Sequence, residues 1–234
     1  MTRFRWQLVI ALGGIALIAA ILLWPGEQVL PPAPQPGAVT ATPPRPATGG
    51  AYTEAVVGAP QRLNPLLAAN QVDRDLTRLI FSGLIKFDSA GRPQGDLAES
   101  WSVDPNGLTY TVSLRPANRW HDGQPVTAAD VLFTMGLLQD PAYPGPAELG
   151  EFWRAIKVSA LNDQTTQFVL PEPYAPFLDQ LSIGLLPAHL LRGVSAAQLP
   201  ELDFNLHPVG SGPFALEQLT SDGTRVTGAA LKPF

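Results

Sequence analysis

The chain has no cysteine among its 234 residues. That excludes disulfides, thiolate nucleophiles and cysteine-ligated metals, and it leaves no thiol to carry a lipid. The absence suits an exported protein without proving export. Histidine is scarce as well. His121, His189 and His207 are the full set, and none stands in a His-x-x-His or His-Glu-x-x-His spacing. No metal site and no cofactor are expected from them. No Gly-x-Ser-x-Gly occurs, and Gly210-Ser211-Gly212 is not a nucleophile elbow. Charged residues make up only 15% of the chain and the formal charge is -5. A nucleic-acid partner would need clustered lysine and arginine, so none is expected.

Hydrophobic residues, in contrast, make up 45%, and there are 25 prolines. Both are unevenly spread. Arg3 and Arg5 precede an uncharged run, Leu8 to Trp24, flanked by Trp6 and closed by Trp24. At about 1.5 Å per residue the run is long enough to cross a hydrocarbon core of about 30 Å. The basic residues on its N-terminal side predict an anchor in the cytoplasmic membrane with the N-terminus inside. A cleaved signal peptide is the rival reading, with a shorter apolar region and a small-x-small site. Residues 1–24 are therefore read as a transmembrane anchor or signal segment. Residues 25–50 hold Pro31, Pro32, Pro34, Pro36, Pro43, Pro44 and Pro46. Such a stretch cannot pack a core and favours extended polyproline II, as a stalk would. Residues 51–234 are left as the extracytoplasmic body.

Within the body, Ala51 to Gly58 alternates like a first strand, and Asn64-Pro65 marks a turn in the loop that follows. Leu76, Leu79, Ile80 and Leu84 recur at helical spacing, predicting a helix from Asp73 to about Ser82. Trp101 and Val103 alternate with polar residues before Asp104-Pro105-Asn106-Gly107, and Leu108 to Leu114 alternate after it, which predicts a hairpin. A second pair is expected around Asn162-Asp163 and a third around Ser221-Asp222-Gly223. Trp101, Tyr110, Leu114, Trp120, Val131 and Leu132 are the predicted core.

The stretch RWHDGQPVTAADVLFTM, Arg119 to Met135, places a histidine beside an aspartate. Adjacent residues of an extended chain point to opposite faces, so His121 and Asp122 do not form a natural acid–base pair. Asp122-Gly123 is turn chemistry. Thr127 and Asp130 have the spacing of a helix N-cap, followed by the apolar stripe Val131, Leu132, Met135 and Leu138. Only His121 is left without a structural task. No catalytic residue is assigned, and the chain is not read as an enzyme.

Several pieces of this region share one order and spacing. They are Gly83-Leu84, the turn Asp88 to Gly91, Leu97 to Trp101, Asn106-Gly107, Thr109-Tyr110, Leu114-Arg115, Trp120 to Gly123, and Pro125 to Val131. Downstream stand Leu185 to Leu191 and Pro208 to Leu216. Together they resemble the family 5 extracellular solute-binding proteins, the peptide-, dipeptide- and nickel-binding receptors of ABC importers. The resemblance implies a mixed α/β, type II periplasmic-binding-protein-like fold, of which this chain holds the first lobe region, preceded by the N-terminal membrane helix. It implies a receptor that delivers oligopeptides or a related solute to an ABC permease. It also implies that the loop Leu63 to Gln71 faces the ligand cleft. Asn64, Leu66, Asn70, Gln71, Gly210 and Gly212 are the candidate ligand-binding residues. Family members are roughly twice this long, and their second lobe follows the Gly-x-Gly-Pro-Phe region. A membrane-anchored sensing or structural ectodomain that keeps the fold without transport is the alternative.

Overall fold

In the computed structural model, residues 49–223 and 225–234 are described. The predicted membrane segment at residues 1–24 and the linker up to residue 48 lie outside them. Among the described residues no helix is long and apolar enough to cross a membrane. The chain divides into two units, Met1–Thr53 and Glu54–Phe234. Only residues 49–53 of the first are described, none of them in a helix or strand. All the described helices and strands belong to the second unit.

The first helix there, α1, spans Gln71–Ile80, two residues earlier than its apolar spacing predicts. Its start is set by Asn70, whose side-chain oxygen accepts the Asp73 amide at 2.8 Å. That satisfies one of the free N–H groups of a helix's first turn. Asp73 is itself buried and accepts the Gln61 amide at 2.7 Å, which fastens the preceding loop to the helix. Phe81 is already extended, so the helix stops short of Ser82. A small ribbon follows, β1 (Ile85–Phe87) against β2 (Pro93–Gly95), turned by Asp88, whose carboxylate accepts the Ala90 and Arg92 amides at 2.9 Å each. Those bonds, the Arg92 amide first, hold the half-buried Asp88 carboxyl below its ordinary range.

The main sheet is antiparallel throughout, in the order β3-β4-β6-β5. Its strands are β3 (Ala98–Val103), β4 (Thr109–Leu114), β5 (Lys157–Asn162) and β6 (Thr165–Val169). The two hairpins have the turns expected for them. In the first, Asp104 accepts both the Leu108 and the Thr109 amide at 2.9 Å, and Gly107 takes φ +74°, which favours glycine. Strands β4 and β6 alternate strictly, with Tyr110, Val112, Leu114, Thr166 and Phe168 turned inward. Over that face lie α2 (Ala128–Gln139), α3 (Ala147–Arg154) and the short α4 (Phe177–Gln180). Trp153, Phe168 and Phe177 meet with ring centroids 5.7–6.2 Å apart, and Tyr110 closes on Phe177 at 4.5 Å. These are tilted and edge-on contacts, the arrangement aromatic quadrupoles favour. Two 3₁₀ turns, Ala196–Glu201 and Asp203–Asn205, lead to a long ribbon, β7 (Phe214–Ser221) against β8 (Val226–Pro233). Its turn is at Asp222-Gly223, as expected. Of the predicted core, Tyr110, Leu114, Trp120 and Val131 are buried, while Trp101 and Leu132 are half-buried, Trp101 packing against the core.

One expected strand does not form. Among the described residues Ala51 to Gly58 has no ladder partner, and Val57 is 101% exposed. Alternation makes a segment able to pair, but a strand exists only where a neighbour supplies the hydrogen bonds.

The start of α2 has Thr127 in extended geometry as N-cap. Asp130 reaches back to accept the Thr127 amide at 2.8 Å and its hydroxyl at 3.3 Å. The other oxygen of Asp130 accepts the Ala188 amide at 2.9 Å. One turn on, the Thr134 hydroxyl donates to the Asp130 carbonyl at 2.8 Å and accepts the Leu186 amide at 2.9 Å. Thr127→Ala is therefore expected to cost about 0.5–2 kcal/mol through the cap. Asp130→Ala is expected to cost more, because it strands the Ala188 amide as well as the Thr127 amide, each at about 1–3 kcal/mol. Urea unfolding of the two variants measures the order; equal losses would mean that the Ala188 bond contributes nothing.

Candidate ligand-facing loop and the His121 clamp

The loop from Leu63 to Gln71 is held from behind. Asn64 is 0% exposed, and its amide nitrogen donates to the Asn205 side-chain oxygen at 3.0 Å while its own oxygen accepts the Leu66 amide at 3.0 Å. Leu66 is buried in the core, and its carbonyl accepts the Tyr143 hydroxyl at 2.7 Å. Burial pushes the Tyr143 phenol up to about 12, so it remains a donor. Asn70 spends both ends of its amide on Asp73. Gln71 lies exposed on the first turn of α1, bonded only to its neighbours Asp75, at 2.6 Å, and Arg74, at 3.1 Å. Among the six candidates, then, Asn70 is half-buried and only Gln71 is exposed.

Gly210 and Gly212 are buried, and their task is close approach. The Gly212 amide donates to the Ile80 carbonyl at 2.8 Å. A Cβ on Gly210 would collide with that same carbonyl oxygen, and one on Gly212 would lie 2.5 Å from the Leu79 carbonyl oxygen. The two glycines let the segment before β7 lie against the end of α1. Asn64, Leu66, Gly210 and Gly212 thus serve the interior that backs the loop.

His121, left without a task by its sequence context, has one. Its backbone amide donates to the Gly210 carbonyl at 2.8 Å. The Gly210 amide donates to ring Nδ1 at 3.2 Å, and ring Nε2 lies 3.0 Å from the Gly212 carbonyl. An amide can only donate, so Nδ1 carries the lone pair and Nε2 the hydrogen. The ring edge also meets Phe234, centroids 4.7 Å apart. Burial, opposed by the Gly212 bond and by Asp122, holds the His121 pKa below its ordinary value.

Asp122 pairs with His189, as the extended-chain argument implies that it does not pair with His121. Its carboxylate lies 2.7 Å from His189 Nε2. Burial works against that charge, but the His189 ring and the Gln124 amide outweigh it, and the Asp122 carboxyl sits below the usual aspartate range. His189 borders an open cleft of about 460 Å³ whose walls include Gln124, Thr127, Phe133 and Arg192. A second open cleft, of about 450 Å³, lies between Gln61-Arg62 and the 3₁₀ turns. Among the described residues no three metal-ligating side chains converge.

Comparison with known proteins matches residues 92–229 to the family described as bacterial extracellular solute-binding proteins, family 5 Middle. The oligopeptide-binding protein AppA of Bacillus subtilis is 32% identical over 178 residues, covering 74% of this chain and 32% of AppA. The dipeptide-binding protein of Escherichia coli is 30% identical over 187 residues, covering 70% of this chain and 35% of the relative. The chain thus spans about a third of the length of these curated relatives. Among solved structures, AppA from Bacillus subtilis in complex with a nonapeptide superposes with a TM-score of 0.66 at 29% identity, over 71% of this chain and 34% of that one. NikZ from Campylobacter jejuni in complex with Ni(L-His) gives 0.61 at 36% identity, over 70% and 32%.

The packing at the seam yields a sharp contrast in stability. Gly210→Ala must push the Ile80 carbonyl aside and break the Gly212 bond, and is expected to cost more than about 3 kcal/mol. Gln71→Ala, at an exposed side chain, is expected to stay within about 0.5 kcal/mol. Thermal unfolding of both compares them; a mild Gly210→Ala would show that the seam relaxes freely.

Proposed function

Because the chain belongs to the bacterial extracellular solute-binding proteins of family 5, we propose that it forms part of an extracytoplasmic receptor delivering oligopeptides, or a related solute, to an ABC-type importer. The observation that carries this reading is the likeness, in both sequence and backbone, to an AppA structure with a nonapeptide bound. The NikZ likeness, with Ni(L-His) bound, keeps other small solutes within the reading. The proposal places the anchor at residues 1–24 with the N-terminus inside, the proline-rich stalk between membrane and body, and the ABC permease as the partner.

The role is binding, not catalysis. His121 has both ring nitrogens committed to backbone, and Asp122 and His189 are committed to each other. In this reading the loop Leu63 to Gln71 is one wall of the ligand cleft. Gln71 is its exposed polar contact, Asn70 sets the first turn beside it, and Asn64, Leu66, Gly210 and Gly212 hold the wall from behind. Receptors of this kind enclose a solute between two lobes that close by hinge motion.

A wall on one side leaves a peptide largely hydrated, and ordering a peptide backbone costs about 1–2 kcal/mol per residue. Calorimetric titration of residues 51–234 with a defined oligopeptide mixture is therefore expected to show binding no tighter than about millimolar, roughly -4 kcal/mol. Micromolar affinity there would mean that these residues suffice as a receptor. Transport is tested separately: cells lacking the protein should take up labelled oligopeptides more slowly. Undiminished uptake alongside retained peptide binding would favour a sensing ectodomain.

A further inference from the structure

The segment Pro208 to Pro213 enters β7 and is held by bonds of two chemistries. Backbone amides of His121 and Phe234 donate to the Gly210 carbonyl at 2.8 Å and the Pro213 carbonyl at 3.0 Å. Gly212 is tied to the Ile80 carbonyl at 2.8 Å, a bond between two backbone groups that no accessible pH alters. Gly210 gives its amide to a lone pair on His121 Nδ1, at 3.2 Å. That bond exists only while His121 is neutral. An imidazolium carries hydrogen on both nitrogens, so Nδ1–H would meet the Gly210 N–H donor to donor. The bond from Nε2–H to the Gly212 carbonyl, at 3.0 Å, survives protonation.

We propose that protonation of His121 releases the Gly210 amide while the backbone bonds of this segment, including the Gly212 latch on α1, stay in place, making the entry into the β7–β8 ribbon a one-sided, proton-operated catch. Few charges bear on the ring. Asp122 follows it in the chain and favours the proton, but its carboxylate is engaged with His189. Pro208 to Pro213 contains no ionisable side chain. Arg78 near the end of α1 and Lys232 on the strand leading to Phe234 are not among the influences that shift the ring, which are burial, the Gly212 bond and Asp122.

The sign follows from linkage. The His121 pKa is lower in the closed form than in an open one near 6.5, so the open form binds more protons between the two values. The catch is fully closed above about pH 6.5 and weakens as pH falls below it, by up to about tenfold in the opening constant per pH unit, until the closed-form value is reached. The catch works in this way whichever solute the lobe takes.

Hydrogen exchange of the full chain, resolved to single amides and corrected for the intrinsic effect of pH, tests the proposal. Between about pH 7 and pH 5, opening at the Gly210 amide should rise steeply, while the Gly212 amide and the sheet amide of Val112 should not follow. His121→Gln, which keeps an acceptor and a donor but cannot take the proton, should flatten the Gly210 profile. If that variant does not fold, ¹⁵N shifts of the wild-type ring decide. Nδ1 unprotonated at neutral pH and a ring pKa below about 6.5 support the catch. A flat wild-type profile at Gly210, a parallel rise at Gly212, or a ring protonated on Nδ1 at neutral pH overturns it.

Discussion

The lobe depends on how one irregular stretch is allowed to be buried. Leu181, Leu185, Leu186 and Leu191 are all buried, yet apart from Leu181, the cap of the short α4, the chain that carries them lies in neither helix nor strand. Buried backbone without secondary structure must find partners for its N–H groups elsewhere, at a cost of about 1–3 kcal/mol for each one missed. Here they come from three sides. The Leu185 amide reaches the Ser82 carbonyl at 3.1 Å, the Leu186 amide the Thr134 hydroxyl, and the Ala188 amide the Asp130 carboxylate. Asp130 is itself nearly inaccessible, and the donors around it are what make its burial tolerable. The same carboxylate that starts α2 thus fixes the segment that carries His189.

Some of these features are legible in the chain and others are not, and the dividing line is sequence distance. The hairpin at Asp104 to Gly107 is written locally, because the turn residue and the amides it accepts are four and five positions apart. The cap at Thr127 and Asp130 is equally local. The second half of Asp130's work, at Ala188, lies 58 residues away, and nothing in the spacing announces it. His121 is the clearest case. Its partners Gly210 and Gly212 are 89 and 91 residues distant, and its near neighbours alone give it no task. The expected strand at Ala51 to Gly58 is the converse: the local pattern is present and the distant partner is not.

The candidate ligand residues divide the same way. A resemblance carries positions but does not say which side of the backbone a position serves. Asn64 and Leu66 stand in a loop assigned to the cleft, yet their side chains turn to Asn205 and the core. Gly210 and Gly212 stand in a motif shared with the family, and the collision a Cβ would meet at Ile80 explains the glycines without any ligand. Motif residues of this kind shape the interior behind the loop, and Gln71 is left exposed beside them.

That division suits a receptor lobe. Affinity in a clamp falls by whatever free energy is spent ordering its walls when the solute arrives, so a wall held beforehand binds better than a loose one. The loop Leu63 to Gln71 has its polar atoms satisfied from behind, by Asn205, Tyr143 and Asp73, before any solute is present. The seam before β7 is fixed differently, by backbone bonds at Gly210, Gly212 and Pro213 and by one imidazole. The loop is held by a side-chain amide, a phenol and a carboxylate, whereas the seam adds to its backbone bonds one imidazole whose bond to the Gly210 amide depends on its proton.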